Sequence, residues 1–119
     1  MRYMLMIYTA PGTWEGMSEE ERNSTMGEYY DYTDSLENAG ILRAGAPLES
    51  VDTATTVRVR DGERLTTDGP FAETREVLGG YYVIEVDTLD EALDHAARVP
   101  GARYGSVEVR PVVQVPARQ

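Results

Sequence analysis

The chain has 119 residues, enough for one domain that buries roughly two-thirds of the surface of its extended form. Its hydrophobic content of 41% and charged content of 27% are those of an ordinary globular protein, and the absence of cysteine excludes disulfides, thiolate nucleophiles and cysteine-based zinc sites. The formal charge is −10, and between residues 15 and 38 eight acidic residues face Arg22 alone, a combination that repels nucleic acid and anionic lipid.

Residues 3–8, Tyr3-Met4-Leu5-Met6-Ile7-Tyr8, are continuously apolar and predict a strand covered on both faces. The run is far short of the ~20 residues that cross a membrane. No small-residue cleavage pattern follows it, so no membrane partner and a cytoplasmic location are expected. Thr9-Ala10-Pro11-Gly12 ends the strand. Ser18-Glu19-Glu20-Glu21 is a capping-box pattern, with Met17 in the position of a hydrophobic staple. Met26, Tyr29, Tyr30, Thr33, Leu36 and Ala39 then recur at helical spacing, and Gly40 supplies a C-terminal cap. A helix over residues 19–39 is predicted.

Residues 41–48 read as a short extended segment bent at Gly45 and Pro47. In residues 53–60, Val57 and Val59 alternate with Arg58 and Arg60, the pattern of a strand with one dry face near a sheet edge. Asp61-Gly62 is a strong hairpin signal, returning the chain through residues 63–67. The loop that follows, within residues 65–80, holds most of the polar groups that look placed rather than scattered. In it Pro70 fixes its own φ and keeps Gly69 out of the α region, and Asp68 is expected to accept bonds from nearby backbone N–H groups. Gly79-Gly80 leads into a second covered, central strand over residues 80–86. Thr88 and Glu91 form the cap of a second helix, whose expected buried stripe is Leu89, Ala92, Leu93, Ala96 and Ala97. Pro100-Gly101 ends it, and residues 106–113 form a closing strand.

The order is β-α-β-β-α-β with one elaborated hairpin. The two continuous apolar runs belong at the centre of the sheet and both helices on one of its faces. The other face then needs a cover, for which a second subunit is expected.

Thr67-Asp68-Gly69-Pro70-Phe71-Ala72-Glu73 with Gly79-Gly80-Tyr81-Tyr82 resembles the hallmark of the DGPF proteins, a branch of the YCII-related family. The opening Arg2-Tyr3-Met4-Leu5-Met6-Ile7-Tyr8 and the closing Gly105-Ser106-Val107-Glu108-Val109-Arg110-Pro111-Val112 are similar to that family's ends. The resemblance implies a ferredoxin-like βαββαβ α+β fold with an additional hairpin, of the dimeric α+β barrel type. It assigns residues 1–113 to a single domain and leaves residues 114–119 as a tail. Other YCII proteins are thought to pair a histidine near the first helix with an aspartate after the second. Here those positions fall at Tyr29 and Val99, so the resemblance lends the fold and withholds that dyad.

His95, the one histidine, is placed with Glu91 and Arg98 on the polar side of the second helix and is expected to be solvated. With no second histidine and no carboxylate cluster, neither a metal nor a cofactor is expected. The candidate ligand-binding residues are Tyr8, Asp68, Glu73, Arg75, Tyr81, Tyr82 and Arg110. Converging at a dimer seam, they would line an aromatic cleft for a small polar, aromatic or acidic ligand. The alternative is that Asp68 caps its turn, Arg110 pairs with a carboxylate and the tyrosines are core residues. Three functions stay open. One is a homodimer that binds a small molecule or protein without chemistry. Another is a cofactor-independent enzyme using Asp68 or Glu73 as base. The last, implied by the resemblance, is a regulatory partner of an extracytoplasmic-function sigma factor.

Overall fold

The computed structural model describes residues 1–118. In chain order it contains β1 (Arg2–Thr9), α1 (Glu19–Asn38), β2 (Leu42–Pro47), β3 (Thr55–Arg60), β4 (Glu63–Asp68), β5 (Val77–Glu85), α2 (Leu89–Ala97) and β6 (Ser106–Pro111). Single 3₁₀ turns at Val51–Thr53 and Pro100–Arg103 punctuate the connections.

β2, β5, β1 and β6 make one antiparallel sheet in that spatial order, so the two apolar strands are central, as in a ferredoxin-like fold. β3 and β4 form a separate two-stranded ribbon. Its turn places Asp61 at φ 52° and Gly62 at φ 77°, the two left-handed positions that an Asp-Gly hairpin turn requires. The expected barrel is not found. Among the described residues no sheet closes on itself, because β2 and β6 are free edges separated by both central strands and the ribbon lies outside the sheet. Four strands are also too few, since a barrel with a filled interior takes about eight.

α1 begins as its sequence dictates. The Ser18 hydroxyl accepts from the Glu21 N–H, and the Glu21 carboxylate accepts from the Ser18 N–H, both at 3.1 Å. The preceding turn is fastened by Arg22, which donates to the Trp14 and Glu15 carbonyls and lies over the Trp14 ring. At α2 the Thr88 hydroxyl caps the Glu91 N–H at 3.2 Å, while the Glu91 carboxylate returns to the Asp87 N–H rather than to that of Thr88.

The core lies between the helices and one face of the sheet. Tyr3, Leu5 and Ile7 of β1 meet Ile84 and Val86, with Tyr32 and Leu36 of α1 and Ala92, Ala96 and Val99 above them. Two expected stripes need correction. On α1, Tyr32 and Leu36 are buried, whereas Met26, Tyr30 and Ala39 are exposed. On α2 only Ala92 and Ala96 are buried, and Leu89 and Leu93 remain about half exposed. The contact face is narrower than the apolar pattern because each helix covers only part of a small sheet. Residues 112–118 continue past β6 without regular structure; residue 119 of the expected tail lies outside the described residues.

The two faces of α1 give a direct check. Leu36 is completely buried and Tyr30 is 64% exposed. Leu36→Ala is expected to lower unfolding stability by about 2–5 kcal/mol in urea titrations, and Tyr30→Ala by no more than about 0.5 kcal/mol.

Candidate functional site

Side chains directly opposite each other across antiparallel strands share a face. Tyr3, Leu5 and Ile7 point to the helices, so Met4, Met6 and Tyr8 point away. Register adds Val83 and Arg110 beside Met4, Tyr81 and Glu108 beside Met6, and Leu78 and Ser106 beside Tyr8. Ala44 and Ala46 of β2 extend the same face beside Val83 and Tyr81. The helix-free side of the sheet is therefore an apolar floor with a polar border along β6.

That border is organised around one carboxylate. Glu108 accepts from the Tyr8 hydroxyl at 3.4 Å, and from the Arg110 guanidinium through Nε at 3.2 Å and Nη2 at 2.8 Å. The Arg110 hydrogen bonds, with a smaller contribution from Tyr8, hold the Glu108 carboxyl below the usual carboxylate range, and Glu108 raises Arg110 in turn. One strand step further, Ser106 donates to Glu76 at 2.7 Å. Glu108 completes the site but was absent from the expected ligand set. Its signal was present in the alternation of β6, which puts Glu108 and Arg110 on one face and Val107 and Val109 on the other.

The expected site residues are thus divided. Tyr8, Tyr81 and Arg110 share the open face. Tyr82, next to Tyr81 in a strand, necessarily points the other way. Its ring packs edge-on to Tyr32 with centroids 5.3 Å apart, its hydroxyl lies 2.8 Å from that of Thr33, and burial raises its phenol. Asp68 ends β4, while Glu73 and Arg75 lie in the following loop; all three are exposed. Among the described residues their side chains take part in no hydrogen bond or ion pair. The expected bonding of Asp68 to nearby backbone N–H groups is therefore not found. The turn is held instead by the Gly69 N–H donating to the Ala54 carbonyl at 2.7 Å and by the Thr56 hydroxyl donating to the Gly69 carbonyl at 2.8 Å.

His95 is half-buried rather than fully solvated, and burial, then the nearby Arg98 charge, lowers its pKa. Among the described residues no group of three or more His, Cys, Asp or Glu side chains is arranged to hold a metal, and no helix is long and apolar enough to cross a membrane. An open groove of about 400 Å³ at the β2 edge, lined by residues such as Glu37, Leu42 and Arg43, lies away from the trio.

The Tyr29 position is on the helix side. Its hydroxyl accepts from the Gly101 N–H at 3.2 Å, two residues beyond Val99, which is 1% exposed. Desolvation is the main cause that pushes the Tyr29 phenol up to about 12. A phenol so shifted stays protonated at neutral pH and serves as a hydrogen-bonding strut between α1 and the Pro100–Arg103 turn. The Glu28–Arg103 ion pair spans the same two elements.

These placements set the cost of two substitutions at the ribbon base. Thr56→Val removes a partly buried hydrogen bond and is expected to cost about 0.5–1.5 kcal/mol in thermal melts. Asp68→Ala is expected to stay within about 0.5 kcal/mol of the parent.

The YCII-related domain matches residues 1–116. Uncharacterized protein R00369 of Rhizobium meliloti (strain 1021) is 38% identical over 114 residues, covering 94% of this chain and 92% of that one. Among solved structures, the chain resembles 5-chloro-2-hydroxyhydroquinone dehydrochlorinase (TftG) from Burkholderia phenoliruptrix AC1100 in complex with 2,5-dihydroxybenzoquinone. The TM-score is 0.56 at 14% identity, over 97% of this chain and 96% of that one, a likeness of fold. The chain belongs to the YCII-related family.

Proposed function

We propose that the protein binds a small, acidic, oxygenated aromatic molecule on the open face of its sheet and acts on it by proton transfer. The observation that carries this reading is the Tyr8–Glu108–Arg110 trio at the border of an apolar floor. The Tyr81 ring and the Met4 and Met6 side chains offer dispersion contact to a flat ring. A hydroxyl of that ring can displace Tyr8 and donate to Glu108, leaving Arg110 beside the oxygen where negative charge develops.

The electrostatics narrow the ligand class. Glu108 is held ionised by Arg110 and is consequently a weak base. The hydroxyls it deprotonates most readily are those made acidic by electron-withdrawing ring substituents, as in halogenated phenols and hydroxyquinones. The named substrate and ligand of the structurally similar dehydrochlorinase belong to that chemistry, which supports the reading by analogy of fold. The Asp68-Gly69-Pro70-Phe71 motif with Gly79-Gly80 further supports placing the chain in the DGPF branch. We assign the working form as a cytoplasmic homodimer, in which a second copy covers the apolar sheet face and excludes water from the trio.

A thermal-shift series with 2,5-dihydroxybenzoquinone, chlorohydroquinone, phenol and a straight-chain carboxylic acid tests this ranking. A site filled at 100 times its dissociation constant adds about 2.7 kcal/mol of apparent stability. The first two compounds are expected to stabilise, phenol to act weakly and the aliphatic acid not at all. Glu108→Gln and Arg110→Ala should each remove the shift, and the ultraviolet band of bound chlorohydroquinone should move to that of its phenolate with the parent and not with Glu108→Gln. If no aromatic compound shifts the melt, the small-molecule reading fails. The sigma-factor partner implied by the DGPF resemblance then becomes the reading to test by direct association.

A further inference from the structure

The β3–β4 ribbon is an arm without a body beneath it. Beyond the pairing of its own strands, no element among the described residues packs closely along either side of it. Val57 and Val59 lie on one side of the ribbon, 55% and 61% exposed, and Leu65 lies on the other, 46% exposed. Phe71, just past its base, is 75% exposed, with Arg58 donating to its carbonyl at 3.3 Å. An isolated two-stranded hairpin is at best marginally stable in water. Valines alternating on one face of such a hairpin have no stabilising role unless that face is covered.

The dimensions of the chain say how much is missing. A compact monomer of 13.2 kDa exposes about 6,400 Å², whereas this chain exposes 8607 Å². Its radius of gyration is 16.5 Å, against about 13.5 Å for a compact domain of this length. The molecule is a slab with extents of 52 × 47 × 20 Å, so the arm projects sideways instead of folding over its own sheet. The excess surface of about 2,200 Å², shared between the ribbon and the exposed residues 112–118, is well beyond the ~800 Å² per partner of a standard interface.

We infer that the ribbon is a clasp: in a symmetric pair, the ribbon of each copy lies on the body of the other with its Val57–Val59 side inward. The area deficit fits a partner as large as the chain itself. Charge allows the same occupant. Across residues 55–68 Arg58, Arg60 and Arg64 balance Asp61, Glu63 and Asp68, so the ribbon is neutral in a chain whose total is −10 and whose residues 15–38 carry −7. A neutral ribbon can lie on an acidic copy of the same chain without the repulsion that two acidic bodies would meet. This inference rests on the homodimer assigned above and adds the element that holds it together.

Sedimentation equilibrium across micromolar concentrations, with hydrogen exchange at the two ends of the range, tests the clasp. The parent is expected to sediment at twice 13.2 kDa. Val57→Ser/Val59→Ser should raise the dimer dissociation constant at least tenfold, and because both valines are exposed in the single chain the variant body should retain its fold and its far-ultraviolet spectrum. Amides of β3 and β4 should be protected in the concentrated parent and lose that protection on dilution to monomer, while those of β1 and β5 stay protected in both. A parent dimer whose dissociation constant is unchanged in the double variant, with ribbon amides open at every concentration, overturns the clasp and leaves the homodimer standing. A monomeric parent overturns both, and the ligand reading is still judged separately by its thermal shifts.

Discussion

The structure depends on a strand that is apolar on both faces in a sheet with helices on only one. Tyr3, Leu5 and Ile7 anchor the core, and the interleaved Met4, Met6 and Tyr8 put an equal apolar load on the opposite side. Period-two geometry leaves no other option: a central strand cannot bury consecutive residues in a single layer. The helix side answers its half by close packing. Ala92 and Ala96 let α2 approach the sheet, and Tyr32 fills the larger gap while donating its hydroxyl to the His95 carbonyl at 2.8 Å. On the other side no helix among the described residues answers, and the proposed site lies on that face.

Against such a floor, the polar border is the informative exception. Exposed ion pairs contribute about 0–1 kcal/mol to stability, so fold maintenance gives little reason to set Glu108 and Arg110 together, two residues apart on β6, with Tyr8 turned toward them. The Glu85 carboxylate makes a useful contrast. It meets the chain's N-terminal ammonium at 3.2 Å, Arg2 at 3.5 Å and Arg43 at 3.4 Å, tying the start of β1 to the β2 edge. That cluster fastens three segments of backbone. The β6 trio joins only β1 and β6, and its donors converge on an acceptor that a ligand could share.

Much of this architecture was legible because it is encoded locally. The capping box at Ser18, the N-cap at Thr88, the Asp61-Gly62 turn and the two central apolar strands all follow from a few adjacent residues. What was not legible was which part of each apolar stripe would find a partner. Met26 and Leu93 fit their helical patterns as well as Leu36 and Ala92 do, and only the width of a four-stranded sheet excludes them. The barrel expectation failed for a related reason: closure depends on edges that are distant in sequence, and β2 and β6 carry no local mark of being free. At the site, the sequence supplied Tyr8, Tyr81 and Arg110. Grouping Tyr81 with Tyr82 overlooked strand alternation, and grouping Asp68, Glu73 and Arg75 with them assumed that closeness in the chain means closeness of side chains.

The motif most easily read as chemistry, Asp68-Gly69-Pro70-Phe71, acquires a mechanical meaning. Gly69 sits at φ 104°, a conformation that side chains rarely adopt, with open space where a Cβ would be, so backbone geometry and not crowding demands the glycine. Pro70 then restricts the residue before it. The Gly69 N–H and carbonyl are both tied to the first residues of the ribbon, through Ala54 and Thr56. The motif therefore fixes the direction in which the ribbon leaves the sheet and the point at which the chain returns to β5. A rigid device for aiming an arm is of no use to a body that the arm never touches. It is of use when the arm must meet a surface presented from outside, at a fixed angle, while the same return loop delivers Glu76 to Ser106 at the end of the open face. Under the proposed clasp, ribbon, loop and trio are one construction: the loop sets where the arm goes, the arm would meet a second body, and that body would give the border carboxylate a dry environment in which its charge has consequence.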